Sequence, residues 1–271
     1  MWVLLLALCV SGCSSSPSQS PVEDYDWIAA RIFLNETGGD PDKLVHWNVG
    51  EDFPSLGIGH FIWFPTGVDA PFDESFPAMA GFVIERSAQC APAPEWLTKL
   101  SPFDAPWPDR ATFEEQTGEA QVLSLREWLN ATMPLQAQYI VESFERRWSA
   151  LELPDKAELD ARLQRLLATP EGTYAVTDYI NFKGIGTNPR ERYAGAGWGL
   201  IQVLRDADDD TDIVVAFSRA AAGRLRQRVA LSPPERNEVR WLPGWERRVF
   251  AYAEPAETTL SLPGVSPCSR Q

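Results

Sequence analysis

Asn35-Glu36-Thr37-Gly38-Gly39, followed after an acidic turn by Ser55-Leu56-Gly57-Ile58-Gly59-His60, decides how this chain is read. Tyr25, Ile28, Ile32 and Glu36 fall at helical spacing, and Gly38-Gly39 supplies a stop signal, so a helix ends where the glutamate sits. Leu44 to Asn48 and Leu56 to Phe64 are short apolar or alternating runs, joined by Val49-Gly50-Glu51-Asp52-Phe53-Pro54. They predict a hairpin or a small irregular sheet. Glu36 shares the Ile28–Ile32 stripe, which should turn its carboxyl toward the buried face, where loss of water disfavours charge. A group that must hold a proton and deliver it needs such surroundings. The competing reading is a glutamate at a frayed helix end, facing water. Gly57 and Gly59 alternate with Leu56, Ile58 and His60, so one face of the expected strand is bare and open to a flat ligand.

Outward from this stretch the chain becomes helical. Residues 65–111 are dense in proline and predict a long irregular insertion with short helices near Ala78–Glu85 and Glu95–Leu100. Loops of that length are usually functional or stapled. Apolar residues then recur at three- and four-residue steps over 112–131, 134–150, 155–168 and 171–182, and after a glycine-rich loop at 183–197 over 198–206, 211–229 and 233–252. The expected class is α+β, mainly α, with one folded body over residues 23–265.

The ends speak of compartment. Trp2 to Val10 is apolar but too short to span a bilayer as a helix. Val10-Ser11-Gly12-Cys13 resembles the lipobox of bacterial lipoproteins. The resemblance implies a signal peptide over residues 1–12 and a lipidated Cys13. With Ser14 next, it also implies attachment at the periplasmic side of the outer membrane. An ordinary signal peptide is the plainer alternative. Residues 13–22 are largely polar and uncharged, and read as a flexible tether. Cys90 and Cys268 then remain; in an oxidising compartment they can pair, or stay as two unpaired thiols.

A net charge of −14 argues against nucleic acid, which demands a basic surface. It also argues against electrostatic docking on anionic lipid, leaving the lipid chain as the anchor, and fits less well with bulk action on anionic peptidoglycan. The only histidines are His46 and His60. Without a cysteine cluster or a His-Glu-x-x-His pattern, no catalytic metal is expected, and nothing calls for a cofactor. The loop Lys183-Gly184-Ile185-Gly186-Thr187 lacks the ending of a phosphate-binding loop. No Gly-x-Ser-x-Gly elbow supports a serine hydrolase.

Glu36, the acidic turn and Ser55-Leu56-Gly57-Ile58-Gly59-His60 together resemble the active-site segment of phage-type lysozymes (endolysins). The resemblance implies a lysozyme-like fold with a small β-hairpin beside a helical lobe. It implies Glu36 as general acid, Ser55 orienting the attacking water, and Gly57, Gly59 and His60 along the sugar. The family's second acid falls where this chain has His46, Trp47 and Asn48, so Glu51 and Asp52 become the candidates for base or electrostatic partner. Trp241-Leu242-Pro243-Gly244-Trp245-Glu246-Arg247-Arg248 is loosely similar to the Gly-x-x-x-Arg-Arg helix of the same lysozymes. Gly199-Leu200-Ile201-Gln202 resembles the Gly-Leu-Met-Gln stretch that borders the cleft of lytic transglycosylases, which nominates Trp198 and Gln202 as cleft wall; a tight helix-packing loop is the structural alternative. Trp47, Phe61, Trp63, Tyr193 and Trp198 are further candidates to stack on sugars. The expected activity is peptidoglycan-directed glycoside hydrolysis, with a glycan-binding or structural envelope lipoprotein as its rivals.

Overall fold

Tyr25–Thr37 forms the first helix, α1, and Trp27, Ile28, Ala29, Ala30, Ile32 and Phe33 are buried nearly all round it, so it runs through the core rather than along its surface. In the computed structural model, residues 25–68, 73–208, 212–254 and 268 are described. The signal-like segment, the tether and Cys13 lie outside them. Helix α1 stops where the chain turns left-handed at Gly38 (φ +69°), whose N–H donates to the Leu34 carbonyl at 2.9 Å.

A short 3₁₀ turn leads into a three-stranded antiparallel meander: β1 (Val45–His46), β2 (Ser55–Leu56) and β3 (Phe61–Ile62), in the order β1-β2-β3. Val45 pairs with Leu56 and His46 with Ser55; Leu56 pairs in turn with Phe61. The expected glycine strand is corrected here. Gly57 to His60 are the turn between β2 and β3, with the His60 N–H donating to the Gly57 carbonyl at 3.3 Å. Nor is its face bare. A Cβ on Gly57 would lie 2.3 Å from Gln136 Oε1, and one on Gly59 would lie 2.6 Å from the Phe61 ring. The glycines make room for protein rather than ligand. Gln136 itself is fully buried and accepts the Ile58 N–H at 2.9 Å.

The proline-rich insertion folds as α2 (Phe76–Ser87) and α3 (Glu95–Thr98). A disulfide joins Cys90, just past α2, to Cys268. The remaining helices are α4 (Arg110–Glu115), α5 (Ala120–Ala131), α6 (Met133–Ser149), α7 (Lys156–Leu167), α8 (Pro170–Lys183), α9 (Leu200–Asp206), α10 (Ile213–Leu231) and α11 (Leu242–Phe250). Two expected helices are broken. The run over 112–131 is interrupted around Thr117-Gly118, and 233–252 is two 3₁₀ turns before α11, split by Asn237 in the left-handed region (φ +46°). Side-chain caps set several helix starts: Asp109 for α4, Thr169 for α8 and Asp212 for α10 accept backbone N–H groups of the first turn.

Helix α1 packs on α6, α6 on α2 and α8, and α10 on α9 and α11. One contiguous apolar core runs from Trp27 to Tyr252. The class is mainly helical with a small antiparallel sheet. Among the described residues no helix is long and apolar enough to cross a membrane.

Candidate active site

Three elements converge on the end of α1. Helix α8 contributes Asp178 and Asn181, α11 contributes Arg248, and the β2–β3 turn contributes His60. Asp178 is the anchor and is fully buried. Its Oδ1 accepts from Asn35 Nδ2 at 3.0 Å and Arg248 Nη2 at 2.8 Å, and its Oδ2 from Arg248 Nε at 2.8 Å and the Tyr252 hydroxyl at 2.5 Å. Such a bidentate arginine–carboxylate pair fixes both partners in one orientation. Burial, seconded by Asp178, pushes the Tyr252 hydroxyl well above its ordinary pKa, so it stays a donor. Burial works against the Arg248 charge, yet Asp178 and then Glu36 raise that group well above the usual arginine value.

Glu36 receives what Asp178 leaves over. Arg248 Nη2 also donates to Glu36 Oε1 at 2.5 Å, and Asn181 Nδ2 reaches the same oxygen at 3.2 Å. The other oxygen, Oε2, faces His60 Nδ1 at 3.5 Å. The glutamate side chain is 14% exposed and that of His60 32%, so the pair sits in a partly open recess. The expected turn toward the protein holds, but the surroundings are not the apolar ones expected: a guanidinium clamps one oxygen, and only Oε2 is left for a proton or a ligand.

His60 is held with φ at +49°, uncommon for a side chain with a Cβ. Burial lowers its pKa, opposed by Glu36 and seconded by His46 and Arg248, so the imidazole is neutral at neutral pH. Glu51 also lies within electrostatic reach of His60. Its Oε2 accepts from Asn48 Nδ2 at 2.9 Å, and its backbone carbonyl from Trp47 Nε1 at 2.8 Å. Asp52 is exposed and Ser55 is buried in β2. Of the two acids of the turn, Glu51 is the one within electrostatic reach of His60, although its carboxylate is hydrogen-bonded to Asn48.

Lys183, at the end of α8, lies between two rings, its Nζ 3.7 Å from the Phe182 centroid and 4.0 Å from that of Trp245. Burial, then Arg228 and Arg248, lowers it from the ordinary 10.5 to about 6, with Glu238 and Glu36 opposing. The glycine loop after it is packed rather than open. Gln202 accepts the Gly199 N–H at 2.9 Å and donates to the Gly186 carbonyl at 3.2 Å, and a Cβ on Gly199 would lie 2.3 Å from Gly186 Cα. Trp198 is 6% exposed under the Arg228 guanidinium, 4.2 Å from its ring. Trp198 and Gln202 thus build a tight helix-packing turn, in place of the expected cleft wall. Trp47, Phe61 and Trp63 are likewise buried in the core.

Asp178, Asn181 and Lys183 were not legible as site residues. A signal for Asp178 existed: one acid in the apolar run Tyr174-Ala175-Val176-Thr177-Asp178-Tyr179-Ile180 implies a buried charge that must find a partner. Among the described residues no group of three His, Cys, Asp or Glu side chains is placed to hold a metal ion. No family model matches this chain, and no curated protein or solved structure matches it significantly.

Proposed function

We propose that this chain is a peptidoglycan-directed glycoside hydrolase of lysozyme-like design, carried as a lipoprotein on the periplasmic side of the outer membrane. The observation that carries the reading is the half-open Glu36 carboxyl. Its Oε1 is occupied by Arg248 and Asn181, while Oε2 remains directed at His60 and the recess. In this reading Glu36 Oε2 carries the proton to the leaving glycosidic oxygen, as a general acid does. Neutral His60 stands beside it to exchange that proton. Glu51, within electrostatic reach of His60, supplies the negative charge for an oxocarbenium-like transition state or activates the water. The lipid anchor at Cys13 rests on the lipobox alone.

Purified mature protein and its Glu36→Gln variant test the assignment on peptidoglycan sacculi, read by release of reducing ends. Removing a general acid costs roughly 10²–10⁴-fold in rate. Equal activity from the two proteins, or none from either, overturns the catalytic role.

The guanidinium on Glu36 favours one rival: a glycan-binding protein whose carboxylate accepts sugar hydroxyls without donating a proton. Saturable binding that survives Glu36→Gln, with no reducing ends from the wild type, selects it.

A further inference from the structure

The 3₁₀ turn over Pro41–Leu44, strand β1 and helices α4 and α5 border a cavity of about 460 Å³. Helix α4 turns one face to it, with Arg110, Phe113 and Glu114 at steps of three and four residues. Leu123 and Arg126, three apart on α5, supply a second wall. A space of this size takes a small organic molecule, since ligand pockets run roughly 300–1,000 Å³.

Arg126 decides what chemistry fits there. Where the fold uses an arginine as structure, it gives that arginine a two-pronged carboxylate. Arg205 meets Asp155 at 2.7 and 2.9 Å, and Arg228 meets Glu238 at 2.8 and 2.9 Å. Arg126 has no such partner among the described residues. Its Nη1 stands 3.3 Å from Asp42 Oδ1, on a side chain that is 79% exposed. Its Nε is buried and meets no acceptor. An exposed single contact contributes little, whereas a buried donor left unmet is costly. The guanidinium is therefore held in the cavity wall, itself only 18% exposed, with hydrogen-bonding capacity unspent. Arg110 is the contrast: its Nε donates to the Trp47 carbonyl at 3.3 Å and its Nη2 to Glu114.

Two guanidiniums and two carboxylates, Asp42 and Glu114, line the cavity, so their charges balance. A doubly charged phosphate would meet both carboxylates with one under-bonded arginine to hold it. A single carboxylate needs only to displace Asp42, and its plane matches the guanidinium fork. The rest of the lining is apolar. Phe113 and Trp47 pack ring on ring at 5.9 Å as a fixed floor, and Leu123, 41% exposed, offers apolar surface that a ligand can cover.

We propose that this cavity binds a monocarboxylate with an apolar body, its carboxylate on Arg126 and its body against Leu123 and Phe113. The site does not draw on Glu36 and stands or falls apart from glycan cleavage.

Calorimetry on the purified protein tests it with two carboxylate probes: phenylpropanoate, a free acid, and N-acetylphenylalanine, which carries the carboxylate of a peptide end. Phenylpropanamide is the neutral control. The wild type should bind at least one of the acids and not the amide. Binding of one acid alone identifies its source, free acid or peptide end; binding of both assigns the carboxylate and the ring they share. Arg126→Gln should weaken binding about ten- to a hundredfold, the scale of a lost charged hydrogen bond. Arg126→Lys should recover only part, because an ammonium lacks the fork. Asp42→Asn, which removes the competing carboxylate, should tighten binding about two- to fivefold, a gain that a damaged fold cannot give. Binding of neither acid by the wild type, equal binding of the amide, or an affinity unmoved by both Arg126→Gln and Asp42→Asn overturns the site. Tighter binding of phenyl phosphate than of either acid overturns the ligand class.

Discussion

Glu36 and Asp178 share one arginine and differ in what else reaches them. Asp178 is closed: two arginine nitrogens, an asparagine and a tyrosine fill its two oxygens, and no surface remains. Glu36 is left half-satisfied, one oxygen clamped and the other turned to His60 in a partly open recess. A carboxylate whose bonds are all made is architecture. One held in place with capacity to spare is where a ligand or a proton can be handled. The difference lies in the second oxygen, since both groups face the same guanidinium.

The sharpest way to break this comparison is to neutralise each acid in turn. Glu36→Gln should remove roughly 10²–10⁴-fold of glycan cleavage while changing stability by under about 1 kcal/mol, because Arg248 keeps its buried partner. Asp178→Asn should do the opposite in kind. It strips the buried guanidinium of its bidentate counter-charge and should cost about 3 kcal/mol, the low end for a broken buried pair, because Glu36 still faces Arg248. Urea unfolding of the two variants beside the wild type reads both expectations. Equal stability losses would mean that Glu36 is as structural as Asp178, and the distinction would fail.

A smaller perturbation acts only on the open side. Gly57 has φ at +67°, and a Cβ there would press on Gln136 Oε1 at 2.3 Å. Gln136 holds the Ile58 N–H, two residues before His60. Gly57→Ala should cost about 1–3 kcal/mol from overpacking and displace His60, so activity should fall more than the residual folded fraction explains. The Asp178 network, on the far side of Glu36, should stay intact. If activity tracks the folded fraction alone, the His60 placement is not part of the open site.

Only the Glu36 half of this contrast could be read from the chain before the fold was known. The Ile28–Ile32–Glu36 spacing located the end of α1 because helical period and a Gly-Gly stop are local signals. The Arg248 segment was noticed only as a loose motif, yet it supplies the clamp. Gly57 and Gly59 misled because a glycine marks any place where a Cβ cannot fit, and sequence does not tell whether ligand or a distant glutamine fills the gap. Gln202 at Gly186 and Gly199 repeats the lesson in the second glycine loop. The Asp178 network was illegible for a different reason: its members are spread over Asn35, Asp178, Arg248 and Tyr252, and only tertiary packing brings them together. The tryptophans were sorted by the same packing: Trp198 is buried beneath Arg228, which lies far along the chain, whereas Trp241 stays 40% exposed.

The smallest expected effect concerns Lys183, which lies within electrostatic reach of the open acid, Glu36. Its amine titrates at about 6 in the folded chain against an ordinary 10.5. Between those values the unfolded chain holds a proton that the native protein lacks, so this residue makes stability rise as pH rises through that window. Below it, the charged form must be buried in the folded protein, and the loss is greatest. The Phe182 and Trp245 faces offset part of it, since ring faces attract an ammonium. Lys183→Met keeps the stem between the two rings and removes the charge. It should raise Tm most near the low end of the window, where the charged amine is most penalised. The gain should fade as the pH approaches the ordinary lysine value. A gain constant with pH would assign it to packing alone. A loss at low pH would mean that the rings bind the ammonium more strongly than burial penalises it.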